Sequence, residues 1–83
     1  MFKVYLTKRV NKSLKLLNEE MKGRIKEALR KLVSFPDDLD VKKLKGFKNK
    51  YCIRVGNYRI IIELHKDIIV VIDILPRKTA YHR

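Results

Sequence analysis

Arg54 and Arg59 flank the dipeptide Gly56-Asn57, and Arg77 follows the last apolar run of the chain. A guanidinium presents a planar fork of donors that fits a phosphate or a carboxylate. Three of them brought together would hold a phosphodiester and stabilise charge building on it. Lys42, Lys43, Lys45, Lys48 and Lys50 lie just upstream and suit a polyanion backbone. Other catalytic material is sparse. His65 and His82 are the only histidines, one in an expected turn and one in the tail, so no metal site is expected. No Cys-x-x-Cys, His-Glu-x-x-His, Walker loop or Gly-x-Gly-x-x-Gly occurs. Cys52 reads as a small half-buried strand residue rather than a nucleophile, since no histidine is near it in sequence. An enzyme built from this chain must use Arg, Lys and Tyr, without a metal or other cofactor.

Charge favours an anionic partner. The 21 Lys and Arg against 9 Asp and Glu give a formal net charge of +12 over 83 residues. That field attracts nucleic acid, an acidic protein or an anionic membrane, although a lysine-rich surface also accompanies growth at high temperature. The charge is unevenly spread. Asp37, Asp38 and Asp40 precede a stretch from Lys42 to Arg59 that holds seven basic residues and no acid. One cysteine excludes an internal disulfide and suggests a reducing cytoplasm. The longest apolar runs, Ile60 to Ile62 and Ile68 to Ile72, are far short of the roughly 20 residues of a membrane span. A cytoplasmic protein without a secretory signal is therefore expected.

The elements that must position these groups follow from periodicity. Phe2, Val4 and Leu6 alternate with Lys3, Tyr5 and Thr7, which predicts a half-buried strand. Thr7 can cap a helix opened by Lys8, with Val10, Leu14 and Leu17 on one face. Asn18, followed by Glu19 and Glu20, caps a second helix with Met21, Ile25, Ala28, Leu29 and Leu32 on its apolar face. Pro36 stops it near Phe35. Tyr51 to Val55, Tyr58 to Leu64 and Ile68 to Leu75 are expected strands, the last ended by Pro76 before a basic tail from Arg77 to Arg83. The order predicts one α+β domain over residues 1–83. An N-terminal strand and a two-helix hairpin pack on an antiparallel sheet completed by three consecutive C-terminal strands.

A tight Gly56-Asn57 turn fixes a register. Val55 faces Tyr58, Arg54 faces Arg59 and Ile53 faces Ile60. Tyr51, Ile53, Val55, Tyr58, Ile60, Ile62 and Leu64 then share the core face, while Cys52, Arg54, Arg59, Ile61 and Glu63 share the other. Like charges directly opposite are destabilising, so the pair calls for an anion between the two arginines, for a nearby acid such as Asp73, or for side chains splayed into water. If His65, Lys66 and Asp67 form the next loop, Leu64 faces Ile68 and Arg59 faces Asp73. That register places Ile68, Val70, Ile72 and Ile74 on the core face, and Asp73, Leu75 and Arg77 with the arginines. Ile61, Ile69 and Val71 would then lie on the charged face and call for a cover, from a partner segment or the chain's own tail.

Three blocks carry a resemblance: Lys43-Leu44-Lys45-Gly46; Tyr51-x-Ile53-Arg54-Val55-Gly56-Asn57-Tyr58-Arg59-Ile60; and Ile72-x-Ile74-x-Pro76-Arg77-x-x-x-Tyr81. In this order and spacing, behind a helical hairpin, they resemble the RelE/ParE toxin superfamily of type II toxin–antitoxin pairs. For RelE-like members the resemblance implies metal-independent cleavage of mRNA in the ribosomal A site through the 2′-hydroxyl. Arg59 would hold the scissile phosphate, Arg77 would stabilise charge on the phosphate or leaving group, Tyr81 would assist proton transfer and Arg54 would support catalysis. The implied partners are the ribosome, mRNA and an acidic antitoxin, with a heterotetramer as one assembly. Cys52 departs from the family's frequent lysine, and Pro76 from its frequent histidine. Two alternatives stay open: a ParE-like DNA gyrase inhibitor, and a non-catalytic basic module binding RNA or an acidic protein.

Overall fold

The computed structural model describes residues 1–80. In chain order it contains β1 (Lys3–Leu6), α1 (Lys8–Leu16), α2 (Glu19–Lys31), β2 (Val41–Lys43), β3 (Lys50–Val55), β4 (Tyr58–His65), β5 (Ile68–Pro76) and α3 (Arg77–Ala80). Both expected caps form. The Thr7 side chain accepts from the Val10 N–H at 3.2 Å, and that of Asn18 from the Met21 N–H at 2.8 Å. Each satisfies a backbone donor left open by the first helical turn, a contribution of about 1 kcal/mol. After α2 a short 3-10 turn, Leu32–Ser34, ends before Pro36, as the restriction on its preceding residue requires.

The five strands form one sheet in the order β1-β5-β4-β3-β2. β1 runs parallel to β5 and the other pairings are antiparallel, so the sheet is mixed at one edge. The edge strand β2 is additional to the strands expected from periodicity. It has three residues, two of them lysines, and it forms only by pairing with β3. Both helices cover one face. Val10 and Leu14 of α1 and Ile25, Ala28 and Leu29 of α2 pack with Leu32, Ile53, Ile60, Ile62, Ile69, Val71 and Ile74. Each large aliphatic side chain removed from water here contributes roughly 1.5–3 kcal/mol. Phe2, Phe35 and Tyr51 extend this layer edge to face, with ring centroids 6.1 and 5.5 Å apart.

The first hairpin has the expected register, with Val55 opposite Tyr58, Arg54 opposite Arg59 and Ile53 opposite Ile60. The second differs from expectation in two ways. His65 pairs with Ile68, so the loop is the two residues Lys66-Asp67, with Lys66 at φ +52°. A bulge then inserts Ile72, because Ile61 faces Asp73 while Ile62 faces Val71. The shorter loop turns Ile69 and Val71 into the core, in place of the expected Ile68, Val70 and Ile72. The bulge restores Ile74 to the core and keeps Asp73 and Leu75 on the opposite face. Arg59 therefore stands opposite Leu75, and not opposite Asp73. Among the described residues, no helix is long and apolar enough to cross a membrane.

Candidate nucleic-acid interface

The sheet face turned away from the helices carries the arginines. The cross-strand row nearest the Gly56-Asn57 turn is Arg54, Arg59 and Leu75. The next row is Lys42, Cys52, Ile61 and Asp73, and beyond it Lys50 faces Glu63. Beneath these charges lies a second small apolar cluster. Cys52, Ile61 and Leu75 are buried together, with Leu44 and Ile72 packed against them. This accounts for the apolar Ile61 on a charged face: the chain's own β2–β3 segment and β5 cover it. The cluster also supplies a dry floor, where a guanidinium interacts more strongly with an anion than it does in water.

Arg59 is only 5% exposed. Its Nη1 donates to the carbonyls of Gly56 at 3.2 Å and Tyr58 at 2.9 Å. The hairpin turn thus fixes the guanidinium along the strand end. Arg54, half exposed, donates from Nε to Asp40 Oδ2 at 2.8 Å. Its backbone N–H also bonds the Asp40 carbonyl at 2.9 Å, which continues the β2–β3 ladder by one residue. A nearby acid does relieve the like-charge pair inferred from sequence, but it is Asp40 beside Arg54 in place of Asp73, and backbone carbonyls accept from Arg59. Asp73 is buried and accepts from Arg9 Nη1 at 3.2 Å and from the Ile74 N–H at 3.0 Å. Arg9 arrives from α1, 64 residues away in sequence, and no local pattern announces that pair.

Arg77 opens α3 directly after β5, and its backbone N–H donates to the Asn57 carbonyl at 2.7 Å. The same two-residue turn thus anchors Arg59 through Gly56 and Arg77 through Asn57. α3 packs against β4 and β5. Arg54 and Arg59 share one face, and the Arg77 backbone is tied to the turn at the same end of the sheet. Tyr81 lies outside the described residues.

The lysines divide. Lys42 faces Cys52 and joins the arginine face, whereas Lys43 faces Tyr51 and lies on the helix side. Lys45 and Lys48 are exposed between β2 and β3. Lys50 lies 3.6 Å from Glu63 and 4.5 Å above the Phe47 ring. His65 Nε2 contacts Glu63 Oε1 at 3.0 Å, and this hydrogen bond, with the Lys50 charge, holds the Glu63 carboxyl below the usual carboxylate range against the effect of burial. Burial pushes the Cys52 thiol up, in spite of Arg59, Arg54 and Lys42 nearby. The thiol is kept protonated and covered, which suits packing and not nucleophilic attack.

Comparison with known proteins finds relatives of the same fold. A family model described as the ParE toxin of the type II toxin–antitoxin system parDE matches residues 4–81. Toxin RelE3 of Methanocaldococcus jannaschii is 43% identical over 83 residues, covering 95% of this chain and 94% of the relative. A chain of the RelB-RelE antitoxin-toxin complex from Methanococcus jannaschii superposes with a TM-score of 0.79 at 37% identity, covering 93% of this chain and 94% of that one. The isolated E. coli RelE toxin has the same fold, with a TM-score of 0.76 at 20% identity, covering 92% and 84% of the two chains.

Proposed function

The chain belongs to the RelE/ParE family of toxins from type II toxin–antitoxin systems, and from that premise we propose that it is a ribosome-dependent mRNA endonuclease. The observation that carries the proposal is the arginine face itself: Arg54 stands opposite Arg59, and Arg59 and Arg77 are tied to the same turn. RNA brings its own nucleophile, the 2′-hydroxyl. The protein then has to align that hydroxyl with the scissile phosphate and stabilise the charge of the pentacoordinate state. Arg59, fixed by two carbonyls, holds a phosphate oxygen. Arg77, exposed at the start of α3, meets the developing charge on the phosphate or leaving group. Arg54 adds a third positive group at the rim. Tyr81 transfers the proton, its phenol acidified by the surrounding cations. Lys42, Lys45 and Lys48 guide the message or ribosomal RNA by charge.

An acidic antitoxin that covers the basic face keeps the toxin silent. Support comes from relatives crystallised as RelB-RelE complexes. Expression alone and with an acidic neighbouring reading frame tests the proposal. Growth arrest with fragmented message, relieved by the neighbour, is the expected result.

A second reading is a DNA gyrase inhibitor. It is favoured by Cys52, which is buried where nuclease members often carry lysine, and by the ParE description of the matching family. Inhibited supercoiling with intact message selects it. Salt-dependent binding without growth arrest would instead select a non-catalytic module.

A further inference from the structure

The turn that anchors the two arginines is also held from the helical layer. Arg24 lies on the exposed side of α2 and has no part in the chemistry proposed above. A Cβ placed on Gly56 would lie 2.8 Å from Arg24 Nη1, 3.1 Å from Cζ and 3.2 Å from Nη2. Three guanidinium atoms at nearly equal distance mean that the plane lies face-on against the glycine, in space that a side chain would occupy. Gly56 also stands at φ +57°, a conformation that glycine adopts without steric cost. The carbonyls of this turn accept from Arg59 Nη1 at 3.2 Å and from the Arg77 N–H at 2.7 Å. Two peptide units therefore connect Arg24 to both Arg59 and Arg77.

We propose that Arg24 is a positioning residue, which packs on Gly56 and fixes the turn whose carbonyls set Arg59 and Arg77. Its surroundings argue against direct contact with RNA. Glu20 and Glu27 lie one helical turn to either side of it, and Asp38 and Asp40 line the same groove. A guanidinium flanked by carboxylates is poorly placed to receive a phosphate. The catalytic consequence rests on the function proposed above; the mechanical link does not.

A double-mutant cycle of Arg24→Ala and Gly56→Ala tests the link through hydrogen exchange at the Arg77 amide. Arg24 is exposed, so its truncation leaves the fold intact. Arg24→Ala should lower protection of the Arg77 amide by about three- to tenfold, the scale of coupling between contacting residues, without changing the Leu64 amide at the far end of β4. Arg24→Lys should not restore it, because lysine keeps the charge without the plane. Gly56→Ala expels the guanidinium, so adding Arg24→Ala to it should cost nothing more. In message cleavage, kcat should fall by a similar factor with KM for ribosomes unchanged. Unchanged Arg77 protection, additive losses, or a raised KM at constant kcat would each overturn the assignment. If protection falls as expected but the parent chain cuts no message, the link stands and the proposed function fails.

Discussion

Asp40→Asn is the perturbation that most sharply separates a phosphate-binding face from a merely solvated one. Asp40 Oδ2 lies 2.8 Å from Arg54 Nε, and the two side chains are 53% and 51% exposed. An ion pair so open to water stabilises the fold by less than about 1 kcal/mol, so the variant should melt close to the parent. Its effect on RNA should be larger and opposite in sign. A phosphate on the far side of the Arg54 guanidinium would lie about 8 Å from the carboxylate, adding two hydrogen-bond lengths to the width of the group. At the dielectric of bulk water, repulsion over that distance is about 0.5 kcal/mol, or roughly a twofold change in affinity. A less solvated site would raise it. Removing the acid also removes a competitor for Arg54, and neutralising up to one further phosphate steepens the slope of log K against log salt by up to about 0.7 for a single strand. Fluorescence anisotropy with a labelled oligoribonucleotide, repeated at several salt concentrations, measures both quantities. Unchanged affinity and slope, with a normal melting temperature, would show that RNA does not pass Arg54, and the face would lose its rim.

Further expectations follow from the second cluster and from the titrating groups. Ile61→Ala empties space between Cys52 and Leu75 and should destabilise the protein by about 2–4 kcal/mol in denaturant titration, as for other buried aliphatics. Cys52, buried and with its thiol pKa raised, should react slowly with a thiol reagent in the native protein and rapidly in denaturant; fast native labelling would contradict the packing. The Glu63 carboxyl is depressed in the fold, chiefly by the His65 hydrogen bond. Its contribution to stability is therefore present above the ordinary carboxylate pKa and is lost as pH falls through the lowered value. Glu63→Gln should make melting temperature less pH-dependent below about pH 4.5 while changing little at neutral pH.

How far the residues announce this site depends on the range over which each feature is determined. The Arg54–Arg59 pairing is readable because a two-residue turn containing glycine admits one register, and that register is found. The helix caps are readable for the same reason, being local bonds across three residues. The β4–β5 register is not, because His65 serves as well in a loop as in a strand and nothing in the alternation marks Ile72 as a bulge. The placement of His65 decides whether Ile69 and Val71 are core or surface, and the bulge at Ile72 decides it for Ile74. Asp40 and Arg9 as partners of Arg54 and Asp73, and Leu44 over the second cluster, arise only from tertiary folding. Charge alone groups Lys43 with the other lysines, yet strand alternation within β2 turns it to the helix side.

The central claim is that the arginine face cuts message, and purified ribosomes programmed with an end-labelled mRNA test it most directly. The parent protein should produce fragments ending within the A-site codon. Arg59→Ala and Arg77→Ala should each lose at least about a hundredfold in kcat, the scale of removing one preorganised transition-state donor. Both variants should stay folded and ribosome-bound. Intact message with the parent protein, or equal cleavage by the parent and by both variants, would contradict the account.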